Sequence, residues 1–163
     1  MPARIFDDIA VCGLRGRYTL ERVRASADPR MELEKREGEI EVGERRQMEV
    51  FIDAGEWVRI VGIPDAVVDN LVVEFTITRQ DIRHIIPRAV VYAYMCMSGG
   101  EGCATLIAPT TPGEEVGYLV VPNGRFLEYL SQELGKVIRG EADGRRNPFC
   151  PSCLYRNICP YSM

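Results

Sequence analysis

The chain has 163 residues, of which 46% are hydrophobic and 27% are charged, and its formal net charge is −4. This is the composition of an ordinary globular protein with one core, and no stretch reaches the roughly 18 apolar residues of a membrane span. The N-terminus lacks the basic start and apolar run of a signal peptide. We therefore expect one cytoplasmic domain, residues 1–163, with no membrane association, and any contact with DNA must be local because the global charge is negative.

The N-terminal third predicts helices. Between Asp7 and Arg24 the apolar residues recur at helical spacing, which indicates one short helix or two. The glutamate-rich segment 31–46 is typical of an exposed helix followed by a turn with glycine.

The centre of the chain predicts strands. Residues 48–78 are rich in Val, Ile, Phe and Trp and are interrupted at Ala54-Gly55 and Asp69-Asn70, which predicts a three-stranded antiparallel meander. Residues 79–97 then predict a helix with Pro87 near its start.

The C-terminal part predicts a hairpin, a helix and a tail. Segments 103–109 and 116–122 flank a turn-forming sequence, and the helix that starts near Phe126 ends at Gly140. A linker then leads to three cysteines with the spacing Cys-x2-Cys-x5-Cys, namely Cys150, Cys153 and Cys159. In a reducing compartment such a cluster favours metal or redox chemistry over disulfides, and its spacing suits an iron–sulfur cluster or tetrahedral zinc.

Two carboxylates are predicted to lie opposite each other. If Asp69-Asn70 is a two-residue hairpin turn, counting outward along both strands pairs Asp65 with Glu74. Facing like charges are destabilising unless a cation neutralises them, and Mg²⁺ or Mn²⁺ would do so. The plain alternative is a longer turn, or two carboxylates on a solvated face.

These residues carry a family resemblance. Pro64-Asp65 followed by Glu74-Phe75-Thr76 resembles the PD-(D/E)XK nuclease core, and an early Cys12 with the cysteine tail resembles the CRISPR-associated RecB-type exonucleases, the Cas-four family. The resemblance runs through almost the whole chain in order. It implies an α/β (α+β) fold: a restriction-endonuclease-like core sheet flanked by helices, with the tail at 146–163 packed against the N-terminal helix.

The resemblance also implies cofactors, partners and site residues. A [4Fe–4S] cluster, with zinc as the alternative, would join the two ends of the chain, and Mg²⁺ or Mn²⁺ would serve the cleavage of DNA. DNA and CRISPR integration proteins would be the partners. The implied cluster ligands are Cys12, Cys150, Cys153 and Cys159, the implied divalent-metal ligands are Asp65, Glu74 and Glu34, and the implied catalytic positions are Asp65, Glu74, Thr76, Arg88 and Tyr92.

The chain departs from the family pattern at three places. Thr76 stands where the family has its catalytic lysine, Arg88 stands where the family has glutamine, and the upstream histidine ligand is missing, with Glu34 or Glu32 in its region. Positive charge could come instead from Arg79 or Lys35. We expect His84 to lie on a helix face.

Two further cysteines, Cys96 and Cys103, are expected to be apolar fillers, although either could replace Cys12 as a ligand.

Three functions follow from the sequence. The first is a metal-dependent DNA exonuclease in CRISPR adaptation or DNA repair. The second is a catalytically weakened relative that binds DNA or protein, and the third is a zinc-stapled interaction domain.

Overall fold

The structure is a computed structural model that describes residues 1–25, 45–76, 82–98, 102–110 and 117–161. Within these ranges the chain forms four α-helices and two sheets, so the predicted α+β class is confirmed. The predicted acidic helix, with Glu32, Glu34 and Lys35, lies outside the described residues, and so does Arg79.

The N-terminal helical region is two helices, α1 (Ile5–Val11) and α2 (Gly13–Ala25). Ile5, Phe6 and Ile9 of α1 are buried in the main core. Cys12 separates the helices, with an extended backbone at φ −168° and ψ 131°. The break places a cysteine at the junction of two packed helices.

The predicted three-stranded meander is wrong. Strands β1 (Met48–Asp53) and β2 (Trp57–Gly62) form a separate two-stranded antiparallel sheet. Strands β3 (Ala66–Val68) and β4 (Leu71–Thr76) belong to a four-stranded sheet. Pro64 has no N–H to donate to a ladder, and a Cβ at Gly62 would clash with the ring of Tyr92, so the chain leaves the first sheet here.

The four-stranded sheet has the order β3-β4-β5-β6, with β5 at Ala104–Pro109 and β6 at Tyr118–Val120. Strands β4 and β5 are parallel and are connected through α3 (Ile86–Met97), whereas β5 and β6 form the predicted antiparallel hairpin. Helix α3 packs on this sheet, and Thr105 Oγ1 donates a hydrogen bond to the Ala89 carbonyl at 2.7 Å.

Helix α4 (Gly124–Arg139) has clear boundaries. The Asn123 side chain accepts a hydrogen bond from the Phe126 N–H at 3.0 Å, and Gly140 ends the helix with φ +75°. Its buried residues Leu130, Leu134 and Val137 share the main core with the N-terminal helices, the β1–β2 hairpin and α3.

The expectation that Cys96 and Cys103 are apolar fillers is also wrong. Their sulfur atoms form a disulfide that joins the end of α3 to the residue before β5. The seven-residue separation lets both backbones approach to a Cα–Cα distance of 5.9 Å, which suits a disulfide. Since both sulfurs are bonded, neither cysteine can replace Cys12 as a ligand.

Candidate functional site

Four cysteines line one cavity between the two ends of the chain. Cys12, Cys150, Cys153 and Cys159 are not in disulfides and are partly exposed, and all four contribute to its wall. We refer to it as the cysteine cavity. The structure thus brings together the four residues that the resemblance names as cluster ligands.

The tail is folded into turns that hold its cysteines toward α1 and α2. A short 3₁₀ helix, Cys150–Ser152, is closed by a hydrogen bond from the Cys153 N–H to the Cys150 carbonyl at 3.2 Å. A second turn is closed by a bond from the Cys159 N–H to the Tyr155 carbonyl at 3.0 Å. These turns fix the spacing of the three tail sulfurs.

Asn147 and Tyr155 attach the tail to the N-terminal helices. Asn147 Nδ2 donates to the Val11 carbonyl at 3.0 Å, and the Asn147 N–H donates to Cys150 Sγ at 3.3 Å. The Tyr155 hydroxyl lies 3.0 Å from Thr19 Oγ1, which donates to Asp8 Oδ2 at 2.9 Å. The backbone beside Cys12 and the sulfur of Cys150 are therefore linked through one residue, Asn147, by its side chain and its backbone N–H respectively.

The four cysteines are the donor set of a four-thiolate site. Such a set suits either a tetrahedral zinc ion, with thiolates at about 2.3 Å, or an iron–sulfur cluster in which each thiolate binds a different iron. As the described residues are placed, no group of three or more His, Cys, Asp or Glu is arranged to hold a metal ion. The hydrogen bond from the Asn147 N–H to Cys150 Sγ is of a kind typical of iron–sulfur sites.

The carboxylate pair lies on the β3–β4 hairpin in the predicted register. Val68 pairs with Leu71 and Ala66 with Val73, around a two-residue turn in which Asp69 has φ +51°. Counting one step further sets Asp65 beside Glu74. Asp65 is half-buried, however, and its Oδ2 accepts a hydrogen bond from the Phe75 N–H at 2.8 Å.

Arg88 supplies the positive charge at this site. Its Nη2 lies 3.2 Å from Glu74 Oε2, and its Nη1 lies 3.2 Å from Asp7 Oδ2. The Glu74 residue is 3% exposed, so its charge is compensated inside the protein. We call the set Asp7, Asp65, Glu74, Arg88 and Tyr92 the carboxylate cluster.

Asp7 is the residue that the sequence reasoning missed. Burial raises its pKa to about 7; Arg88 opposes this shift, and the nearby carboxylates of Glu74 and Asp8 add to it. Within the described part of the chain, Asp7 Oδ1 and Arg88 Nε are buried atoms that have no hydrogen-bond partner. The aspartate pair Asp7-Asp8 stands within an otherwise apolar helix, IFDDIAV. In the sequence, this pattern could have indicated a buried charge.

Tyr92 lies on the same face of α3 as Arg88, one turn further along. It is buried against Gly62, and burial raises its pKa, as does the nearby Glu74. Burial also strengthens the Arg88 ion pairs. Desolvation lowers the pKa of Arg88, but the negative charges of Asp7 and Glu74 outweigh this effect and raise it. The guanidinium is therefore permanently charged and is a poor proton acceptor.

The remaining predicted positions are Thr76, His84 and the glutamates of the acidic segment. Thr76 ends β4, and its carbonyl accepts a hydrogen bond from the Thr110 N–H at 2.9 Å. His84 is on a 3₁₀ helix, with its ring 5.7 Å from that of Phe149, the residue before Cys150 in the tail. Glu34 and Glu32 fall in the undescribed range 26–44.

Comparisons with known proteins show the fold alone. No protein-family model matches the chain, and no curated protein matches it. It is similar to a solved structure described as "Crystal structure of SSO0001", with a TM-score of 0.63, 19% identity, and coverage of 100% of this chain and 87% of that chain. None of the helices in the described ranges is long and apolar enough to cross a membrane.

Proposed function

We propose that this protein is a nuclease-fold relative of Cas-four type that holds a [4Fe–4S] cluster and binds DNA or a protein partner without efficient cleavage. One observation carries the proposal: the Arg88 guanidinium bridges Glu74 and Asp7. It occupies the neutralising role that a divalent cation would take between carboxylates.

The cluster part of the proposal rests on the cysteine cavity. Cys12, Cys150, Cys153 and Cys159 would hold the iron, and Asn147 would orient Cys150. Such a cluster would attach the tail covalently to the junction of α1 and α2. Without it, the tail is held to these helices by hydrogen bonds such as those of Asn147 and Tyr155. When bound, the cluster supplies a rigid cross-link between the chain ends and absorbs visible light.

The weakened-cleavage part rests on two side chains. Phosphodiester hydrolysis in a metal-dependent nuclease needs a metal-bound water and a group that orients it. Thr76 carries no positive charge and cannot help to deprotonate the water, and Arg88 is fixed by two ion pairs and stays protonated, so neither replaces the family's lysine. Asp65 and Glu74 would remain as vestiges of a metal site.

Restoring the family residues tests this directly. We expect the wild-type protein to bind single- and double-stranded DNA in a gel shift and to show no cleavage with Mg²⁺ or Mn²⁺. The double variant Thr76→Lys/Arg88→Gln should gain metal-dependent cleavage of at least about tenfold, in the range that a positioned proton-transfer group contributes. Adding Asp65→Ala to that variant is the matched control and should abolish the gain.

Efficient cutting by the wild-type protein that requires Mn²⁺ and is lost in Asp65→Ala would overturn the proposal. It would establish the second candidate, an active DNA exonuclease in CRISPR adaptation or DNA repair. That candidate is favoured by the opposed positions of Asp65 and Glu74 and by the third carboxylate, Asp7, with an unsatisfied oxygen.

Elemental analysis addresses the third candidate. An anaerobically purified protein should be brown and contain about four irons per chain. A colourless protein with one zinc would instead support a zinc-stapled interaction domain.

CRISPR integration proteins are proposed as partners only for the nuclease-like functions, and co-purification with them would test that assignment.

A further inference from the structure

The disulfide between α3 and β5 is separate from the cysteine cavity. Cys96 lies in the last turn of α3, and Cys103 directly precedes β5. Neither residue lines the cavity, whose four cysteines are not in disulfides and must be thiolates to bind a metal. In the reducing compartment predicted for this chain, a disulfide is rare, and most of those that occur are transient and respond to the redox state.

The backbone around Cys103 is held in place by contacts other than the disulfide. Asn70 lies in the turn between β3 and β4, and its Nδ2 donates a hydrogen bond to the Gly102 carbonyl at 2.8 Å. The Ala104 N–H donates to the Asn70 carbonyl at 3.2 Å. One residue of the hairpin turn therefore binds the peptide groups on both sides of Cys103.

Cys96 is held by α3 and by the packing of that helix. It contacts the main core, and the last turn of α3 is closed by a hydrogen bond from the Ser98 N–H to the Tyr94 carbonyl at 3.2 Å. The bond from Thr105 Oγ1 to the Ala89 carbonyl attaches α3 to β5 independently. Opening the disulfide therefore leaves the two cysteines close to the Cα–Cα distance of 5.9 Å that they have when bonded.

The two cysteines differ in exposure, which determines where an external thiolate attacks. Cys103 is 7% exposed, whereas Cys96 is partly exposed and is followed by exposed residues. An external dithiol would form a mixed disulfide at the Cys96 sulfur and release Cys103 as a thiolate, which takes up a proton. The second sulfur of the dithiol then displaces Cys96, so the protein pair gains two electrons and two protons and the dithiol becomes a disulfide.

We propose that Cys96 and Cys103 form a reversible redox switch, which cellular dithiols open and cellular disulfides close by thiol–disulfide exchange. In the closed state a covalent bond attaches the end of α3 to β5, and in the open state only non-covalent contacts do so. The pair can close again because both thiols are already held near each other, so little chain entropy is lost. This inference is independent of the DNA-binding and cluster functions, since neither uses these two residues.

Mass spectrometry of the full-length protein reads the state of this pair alone. Both cysteines lie in one tryptic peptide, residues 89–125, which contains no other cysteine. The folded protein is equilibrated with mixtures of reduced and oxidised dithiothreitol, quenched with acid and alkylated, so that two added alkyl groups mark the open pair. We expect one two-electron transition, with the same midpoint whether the starting protein is oxidised or reduced.

The Asn70→Ala variant tests whether the hairpin turn holds Cys103 in place. Without the bond to Gly102, the open form gains freedom that closing must remove, so the equilibrium constant for closing should fall about 2- to 10-fold, the contribution of one hydrogen bond. Asn157→Ala changes an exposed asparagine of the cysteine tail and is the matched control, which should stay within about twofold of wild type.

Melting temperature measures what the closed state does for the fold. Reduction should lower it by about 5–10 °C, the range for opening a short disulfide loop in a chain of this length. The matched control is the double variant Cys96→Ser/Cys103→Ser, which keeps the four cysteines of the cavity. It should melt as reduced wild type does and should not respond to dithiothreitol, whereas an effect of the reductant on the cavity would appear in both proteins.

Two results would overturn the switch. A pair that dithiothreitol reduces only after the protein is unfolded would be a permanent structural link. A reduced pair that does not close again in oxidised dithiothreitol, or that forms disulfides with the cysteines of the cavity instead, would not be held for reversible exchange. Both results leave the proposed function standing, because iron content and DNA binding are measured separately.

Discussion

The cysteine cavity and the carboxylate cluster both lie against α1, yet they differ in how far the protein itself pairs their polar groups. None of the four thiols of the cavity is in a disulfide, and Cys150 Sγ accepts a hydrogen bond from the Asn147 N–H. In the carboxylate cluster, Arg88 pairs with two buried carboxylates. The comparison teaches that having the residue types of a site differs from leaving them available to a ligand.

This difference has a physical basis in burial. A buried charge must be compensated, and a guanidinium fixed by the fold does so in every molecule, without depending on metal concentration. Partly exposed thiols need no such compensation within the protein, so they are compatible with a site that is completed only when iron or zinc binds. We expect the cavity to gain stability from a ligand and the cluster to gain it from within the chain.

The largest effect should come from removing a cysteine ligand. Cys153→Ser should lose the iron and the visible absorption and should lower the free energy of unfolding by more than about 4 kcal/mol, the range for loss of a structural metal group. Ser152→Ala, one residue away in the same turn, is the control and should keep both. Iron content and thermal unfolding under anaerobic conditions measure this.

If Cys153→Ser kept its iron, its colour and its melting temperature, the cluster would be held without Cys153, and the cysteine cavity would not be its site. The contrast with the carboxylate cluster would then disappear, because the cavity would not depend on a ligand.

Removing the internal cation should have the next largest effect. Arg88→Ala leaves Glu74 and Asp7 buried without their partner, and we expect it to lower the free energy of unfolding by about 3–5 kcal/mol. Arg59→Ala removes an exposed arginine that pairs with Glu49 on the β1–β2 hairpin, and it should cost at most about 1 kcal/mol. Urea unfolding of both variants gives the two values.

Rescue of Arg88→Ala by millimolar Mg²⁺ would sharpen the comparison, since it would show that a divalent cation can replace the guanidinium. Equal costs for Arg88→Ala and Arg59→Ala would contradict the view that the cluster is neutralised by a buried ion pair.

The smallest effect is a pH dependence of stability. The pKa of Asp7 is raised from 3.8 to about 7 in the folded protein, because burial disfavours the carboxylate. The folded state therefore holds a proton that the unfolded state has released. This contribution to stability is complete below about pH 4 and is lost as the pH rises to about 7.

Asp7→Asn should remove this dependence. The free energy of unfolding of wild type, minus that of Asp7→Asn, should fall by about 2–4 kcal/mol between pH 4 and pH 7.5 in urea titrations. Asp69→Asn, in the exposed turn between β3 and β4, should leave the wild-type profile unchanged. A constant difference for Asp7→Asn would mean that Asp7 is ionised throughout this range.

The sequence determined features that depend on neighbours along the chain. The periodic apolar stripe and Gly140 define α4, and the Asp69-Asn70 turn fixes the register of β3 and β4, because helix faces and hairpin registers follow from local spacing. The spacing of Cys150, Cys153 and Cys159 also predicted a ligand site in the tail, and this stays a prediction.

The tertiary structure alone decided which distant groups meet. Arg88 reaches Asp7 across 81 positions of the chain because α3 packs on α1, and no local pattern encodes that contact. The separation of the two sheets at Pro64 and the joining of Cys96 to Cys103 have the same origin. Local spacing specifies elements, but long-range packing specifies which charges are neutralised within the protein and which donors stay open to a ligand.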